Sequence, residues 1–131
     1  MKIAPNPKPF RYSVGDRGEV CAAEYLRKKG FKVLQANYRC ALGEIDLVAE
    51  KAGRIHFVEV KTRSGKGFGS PEAAVDLRKQ VKLVKLAAWY LKDKRLQDPP
   101  VSFDVMGITL EEGLAPEIRF FEGAFEKGEV R

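Results

Sequence analysis

The sequence predicts a single α/β domain in which a mixed β-sheet is flanked by helices, with the elements in the order α-β-β-β-α-β. Two long segments, Val14 to Lys29 and Ser70 to about Lys94, repeat their apolar residues at helical spacing. Four runs alternate apolar with polar residues or concentrate β-branched and aromatic ones, as strands do: Phe31 to Asn37, Glu44 to Ala49, Ile55 to Thr62 and Val101 to Leu110. The chain's 131 residues, 44% of them hydrophobic and 32% charged, can enclose one core, and they contain no repeat, low-complexity block or second domain.

Residues 1–12 hold three prolines and read as a flexible basic tail outside the fold, which is expected to span residues 13–125, with 126–131 as a fraying end. Ser13 with Asp16 three positions on resembles a capping box, and Gly30 is placed to cap the other end of the first helix. Ala22, Ala23 and Leu26 make its buried stripe. Glu19, three, four and seven positions before them, puts a carboxylate on that inward stripe, where it needs either a partner or a function. The first strand follows, Tyr38-Arg39-Cys40 leads towards the hairpin, and Asn37-Tyr38-Arg39 is placed to border a site there.

That hairpin, Gly43 to Arg63, is the most informative stretch. Ile45, Leu47 and Ala49 alternate with Glu44, Asp46 and Val48; after a turn at Ala52-Gly53, Phe57, Glu59 and Lys61 alternate with His56, Val58 and Val60. An even-numbered loop sets Leu47 opposite Val58, Ile45 opposite Val60, Asp46 opposite Glu59 and Glu44 opposite Lys61, so apolar meets apolar and charge meets charge. A one-residue slip would place Glu59 beside Ile45 and Leu47 at a desolvation cost, and the pattern therefore selects the even register. Directly opposed side chains have Cβ atoms about 4.5–5.5 Å apart, so two like charges would be held together unless a divalent cation joined them. Oxygen ligands of this kind suit Mg²⁺ or Mn²⁺.

Past Lys61 the chain is glycine-rich, with Arg63 and Lys66 in a loop suited to backbone phosphate; it lacks the spacing and ending of a Walker motif. Ser70-Pro71 offers a start for the second helix, and Asp76 a later one. Leu77, Val81, Val84, Ala88 and Leu91 are expected to face the core, while Arg78, Lys82 and Lys85 line a second face; Trp89 and Tyr90 are expected to pack. Asp98-Pro99-Pro100 breaks the chain before the Val101 strand, and Ile118 to Phe121 makes a short last one.

Glu59-Val60-Lys61, preceded by Asp46, resembles the motif of the PD-(D/E)xK nuclease superfamily. The flanking blocks GEIDLVA and FVEVKTR resemble the YraN family of bacterial proteins, similar to archaeal Holliday-junction resolvases, over about Gly15 to Leu110. Ile45 stands where the superfamily's name puts proline. The resemblance implies a restriction-endonuclease-like fold and a Mg²⁺- or Mn²⁺-dependent nuclease acting on phosphodiester bonds, in branched or structured DNA rather than RNA. It implies Asp46, Glu59 and the Val60 carbonyl at the metal, Lys61 as the catalytic cation, and Glu19 and Glu44 at a second ion or its waters. Lys79 and Gln80 are placed near the site, and with Arg63, Lys66, Arg78, Lys82 and Lys85 they form the expected nucleic-acid contacts. The alternative is a non-catalytic nucleic-acid-binding protein on the same fold.

Composition narrows the classes further. A net charge of +6 and a pI near 9.4 favour a polyanionic partner. Cys21 and Cys40 give neither a disulfide framework nor metal spacing, and with no signal peptide or long apolar run a cytoplasmic protein without a membrane partner is expected. The lone histidine, His56, falls on an apolar strand face and reads as structural, which leaves a zinc site or a histidine-based nuclease little material. A homodimer is compatible with the sequence.

Overall fold

Ala52 and Gly53 both take positive φ, 52° and 81°, in a computed structural model of the chain, and so close a two-residue hairpin between Lys51 and Arg54. From that turn the register runs back as expected, Leu47 opposite Val58 and Val48 opposite Phe57. The structure describes residues 14–65 and 70–126. The expectations for the tail 1–12, the Ser13 cap, Lys66 and the end of the chain past Glu126 lie outside those residues.

The described residues form α1 (Val14–Lys28), β1 (Lys32–Cys40), β2 (Gly43–Lys51), β3 (Arg54–Ser64), α2 (Leu77–Asp93), β4 (Val101–Leu110) and β5 (Glu117–Phe125). The sheet has five strands in the order β1-β2-β3-β4-β5. Only β3 and β4 pair in parallel, and the connection between them carries α2. The result is an α-β-β-β-α-β-β mixed sheet consistent with the restriction-endonuclease-like fold, its last strand longer than expected.

One helix covers each side of the sheet. Ala22 and Leu26 of α1 pack with Leu47, Ala49, Val58, Val60, Met106 and Ile108. Leu83, Leu86, Ala87 and Tyr90 of α2 pack with Ile45, Val48, Phe57, Phe103 and Val105. At roughly 1.5–3 kcal/mol for each large apolar side chain fully buried, these two layers supply most of the drive to fold.

Three expectations change. The first turn at Pro71–Ala74 is a short 3-10 segment, and α2 starts at Leu77, from the later of the two expected starts, with the Asp76 carboxylate accepting the Lys79 N–H. The buried face of α2 differs in part: Val84 and Leu91 pack partly against the core and Tyr90 is buried, as expected, but Leu77 is 60% exposed, Ala88 is exposed and Trp89 is 44% exposed. The helix carries two apolar stripes, and packing selected the one bearing Tyr90, whose ring meets Tyr38 and Phe57 edge-on.

The third change lies in β2. Ile45 belongs to the layer under α2, whereas Leu47 and Ala49 belong to the layer under α1, so their common face breaks at Asp46. Opposite this point in β1, Asn37 has φ 54°, a left-handed value that asparagine tolerates better than most residues. Both strands turn over there. Beyond Leu47 and Val58 the β2–β3 ladder stops, and the expected pairs Asp46–Glu59, Ile45–Val60 and Glu44–Lys61 do not form.

Candidate functional site

Where β2 and β3 part, the Asp46 carboxylate takes the place of the missing ladder, accepting the Val60 N–H at 2.8 Å. In an extended strand a residue's N–H and C=O leave on the same side, so the Val60 carbonyl also faces the opening. Glu19 reaches the same place from α1. That helix can come so close because Gly18 has no side chain: a Cβ there would overlap the Thr62 side chain of β3.

Ligand oxygens of Glu19, Glu44 and Asp46 all lie within 4.8 Å of one another. Opposite oxygens around Mg²⁺ are about 4.2 Å apart, twice a 2.0–2.1 Å bond, so small side-chain movements would fit the three carboxylates to an ion. Glu59 lies outside that compact group, although it is near enough for its charge and that of Asp46 to repel. It lines a hollow with Glu44, Lys79 and Lys82. Glu44 also meets Arg39 at 3.6 Å, but the arginine is largely exposed and the pair is weak.

The electrostatics record this crowding. Burial and then Asp46 push the Glu19 carboxyl up to about 7, while a hydrogen bond with Asn37 pulls the other way. Glu59 is likewise pushed up to about 7, by burial and then Asp46, against the attraction of Lys79 and Lys61. Asp46 is raised by burial, opposed by the Val60 N–H, with Glu44 adding to the rise. Lys61 is held below the ordinary lysine value, first by the Lys79 amine beside it and then by burial. Four carboxylates thus share one opening with two close lysines, an arrangement that favours a bound cation.

The nucleic-acid candidates divide. Arg78, Lys82 and Lys85 lie exposed along α2 with no ion pair among the described residues, and Lys79 stands at the acidic opening. The Gln80 amide donates to the Val75 carbonyl, at 3.4 Å, and holds the helix start. Arg63 sits half-buried on β3. Asn37, expected only to border the site, hydrogen-bonds Glu19; that contact was hidden because an asparagine inside a strand gives no sign that its φ is positive. Gly18, a glycine within a helix, was the available signal for the close approach of α1.

His56 lies apart from this opening, buried against the edge of Phe31 and beside Asp104. The two cysteines are free, and among the described residues no helix is long and apolar enough to cross a membrane.

The profile of "Uncharacterised protein family UPF0102" matches residues 18–108, a stretch that includes Glu19, Glu44, Asp46, Glu59 and Lys61. A UPF0102 protein of Syntrophomonas wolfei is 53% identical over 96 residues, covering 73% of this chain and 84% of that relative. One from Caldanaerobacter subterraneus is 46% identical over 103 residues, covering 79% and 84%. One from Moorella thermoacetica is 42% identical over 112 residues, covering 85% and 93%. By profile and by identity along most of its length, the chain belongs to the UPF0102 family, the YraN family.

Proposed function

We propose that this protein is a metal-dependent endonuclease that hydrolyses phosphodiester bonds in branched or otherwise structured DNA. The observation that carries the reading is the meeting of Glu19, Glu44 and Asp46 within 4.8 Å, beside Glu59 and Lys61, where two strands part. Neither an ordinary core nor an ordinary solvated face explains several carboxylates gathered with so few donors.

Glu19, Glu44 and Asp46 would hold Mg²⁺ or Mn²⁺, with Glu59 and the Val60 carbonyl completing or orienting the set. A bound ion of this kind lowers the pKa of water and neutralises phosphate charge. The chain's own contribution is placement. The Val60 N–H fixes Asp46, and Asn37 fixes Glu19. Lys61, its amine beside Glu59 and Lys79, would supply positive charge to the pentacoordinate transition state at the scissile phosphate and orient the attacking water. Arg78, Lys82 and Lys85 take the flanking phosphates.

Purified protein is assayed on linear, forked and four-way DNA with Mg²⁺ or Mn²⁺. Cut product is expected, and Lys61→Ala should lower turnover by roughly 10²–10³ with DNA affinity little changed. No product from any substrate with either ion would overturn the nuclease reading. The three free cations of α2 favour the second reading in that case, a DNA-binding protein whose affinity falls with salt but which cuts nothing.

A further inference from the structure

The Leu77 end of α2, which packing left uncovered, has a definite shape. Leu42, in the turn before β2, with Leu77 and Val81 of α2, lines an open hollow of about 530 Å³, within the range of about 300–1,000 Å³ usual for small-molecule sites. Its remaining lining residues are Arg78, Lys82 and Lys85. Leu42 is 43% and Leu77 60% exposed, so apolar surface is presented to water inside a cationic rim with no carboxylate among the lining residues.

Lys82 joins this hollow to the acidic opening, since it also lines the hollow that holds Glu44 and Glu59. Its stem lies over Gly43, where a Cβ would come within 2.9 Å of the lysine Cε. A ligand that matches the apolar lining and the cationic rim is apolar at one end and anionic along its length. A folded duplex hides its base faces; an unpaired nucleotide shows them.

We infer that the Leu42–Leu77–Val81 hollow receives an unpaired base of a DNA strand whose backbone crosses Lys82 to the acidic opening. The inference rests on the reading that the partner is DNA, and it names what the protein selects: a strand with at least one unstacked nucleotide near the bond to be cut. Arg78 and Lys85 hold the phosphates on either side of that base, and the leucines and Val81 supply the contact that tells single strand from duplex.

The test separates base from phosphate. Binding of a fluorescent single-stranded oligonucleotide and of its duplex is measured across a salt series, for wild type, Leu77→Ser and Arg78→Ala/Lys85→Ala. Leu77 is exposed, so its replacement leaves the fold intact. Wild type should prefer the single strand. Leu77→Ser should weaken single-strand binding about tenfold, the scale of losing one buried aliphatic side chain, with the slope of log affinity against log salt unchanged and duplex binding unaltered. The double variant should instead reduce that slope by about 1.4, at 0.7 per phosphate contact on a single strand. Equal loss on both substrates, or no loss with Leu77→Ser, overturns the inference while leaving DNA binding standing. A dimer in light scattering that Leu77→Ser dissolves also overturns it, assigning the face to a second copy. Cleavage is read separately: if the single-strand preference obeys these predictions but wild type cuts nothing with Mn²⁺, the nuclease reading fails alone.

Discussion

Two aspartates on the same sheet meet opposite fates. Asp104, fully buried on β4, is surrounded by donors: His56 Nδ1 lies 2.7 Å from one carboxylate oxygen, while the Ser102 hydroxyl and the Gly123 N–H, at 3.0 Å, donate to the other. The sheet is shaped to make this possible. β5 shifts register opposite Asp104, and Gly123 at φ 62° turns its N–H away from the ladder to the carboxylate. Asp46 has one backbone donor and the charge of Lys61 nearby, against the carboxylates of Glu19, Glu44 and Glu59. A buried charge whose donors are all built in is structural; one in which like charges outnumber the donors is the place where a bound cation would relieve repulsion.

Removing each aspartate is the strongest way to break this comparison. Asp104→Ala strands His56, Ser102 and a backbone N–H, and should cost about 3–5 kcal/mol in urea unfolding. Asp46→Asn keeps an acceptor for the Val60 N–H and relieves repulsion, so the metal-free protein should be as stable as wild type or more so. A large loss from Asp46→Asn would make that site structural as well.

Metal sharpens the contrast. Mg²⁺ or Mn²⁺ at a hundredfold excess over Kd should stabilise wild type by about 2.7 kcal/mol, visible as a rise in Tm, and Asp46→Asn should abolish the rise. An unchanged wild-type Tm at millimolar metal would count against an ion site.

pH gives a smaller effect of definite sign. Glu19 and Glu59 have carboxyls raised from 4.5 to about 7 in the folded chain, so they hold protons that the unfolded chain has released. Their protonation therefore supports folding fully below about pH 4.5, and that support is lost as pH rises to about 7. Metal-free Tm should fall across that interval less steeply in Asp46→Asn, because Asp46 helps raise both groups. The Tm gain from metal should grow over the same interval, since ligands must shed protons to bind. Parallel Tm profiles for the two proteins would remove the electrostatic link to Asp46.

The smallest effect belongs to the structural pair. Glu122 lies 3.9 Å from His56 but is 56% exposed, so Glu122→Gln should change stability by less than about 1 kcal/mol, which denaturant unfolding can measure. A larger loss would mean that Asp104 does not satisfy His56 alone.

Much of this molecule was determined by sequence because the governing interactions are local. The Ala52-Gly53 turn sets the register of β2 on β3, Gly30 at φ 93° ends α1, and β4 has the bounds its apolar run implied. Spacing alone also marked Glu19 as an inward carboxylate and separated Glu44, Asp46, Glu59 and Lys61 from the bulk of the core. Tertiary structure decided the rest. The turnover of β1 and β2 at Asn37 and Asp46, the end of the ladder at Leu47 and the choice of the Tyr90 stripe over the Leu77 stripe all depend on which surfaces two helices cover from opposite sides of the sheet. Periodicity reports that a face is apolar; only packing against a partner distant in sequence determines which apolar face is buried and which is left exposed.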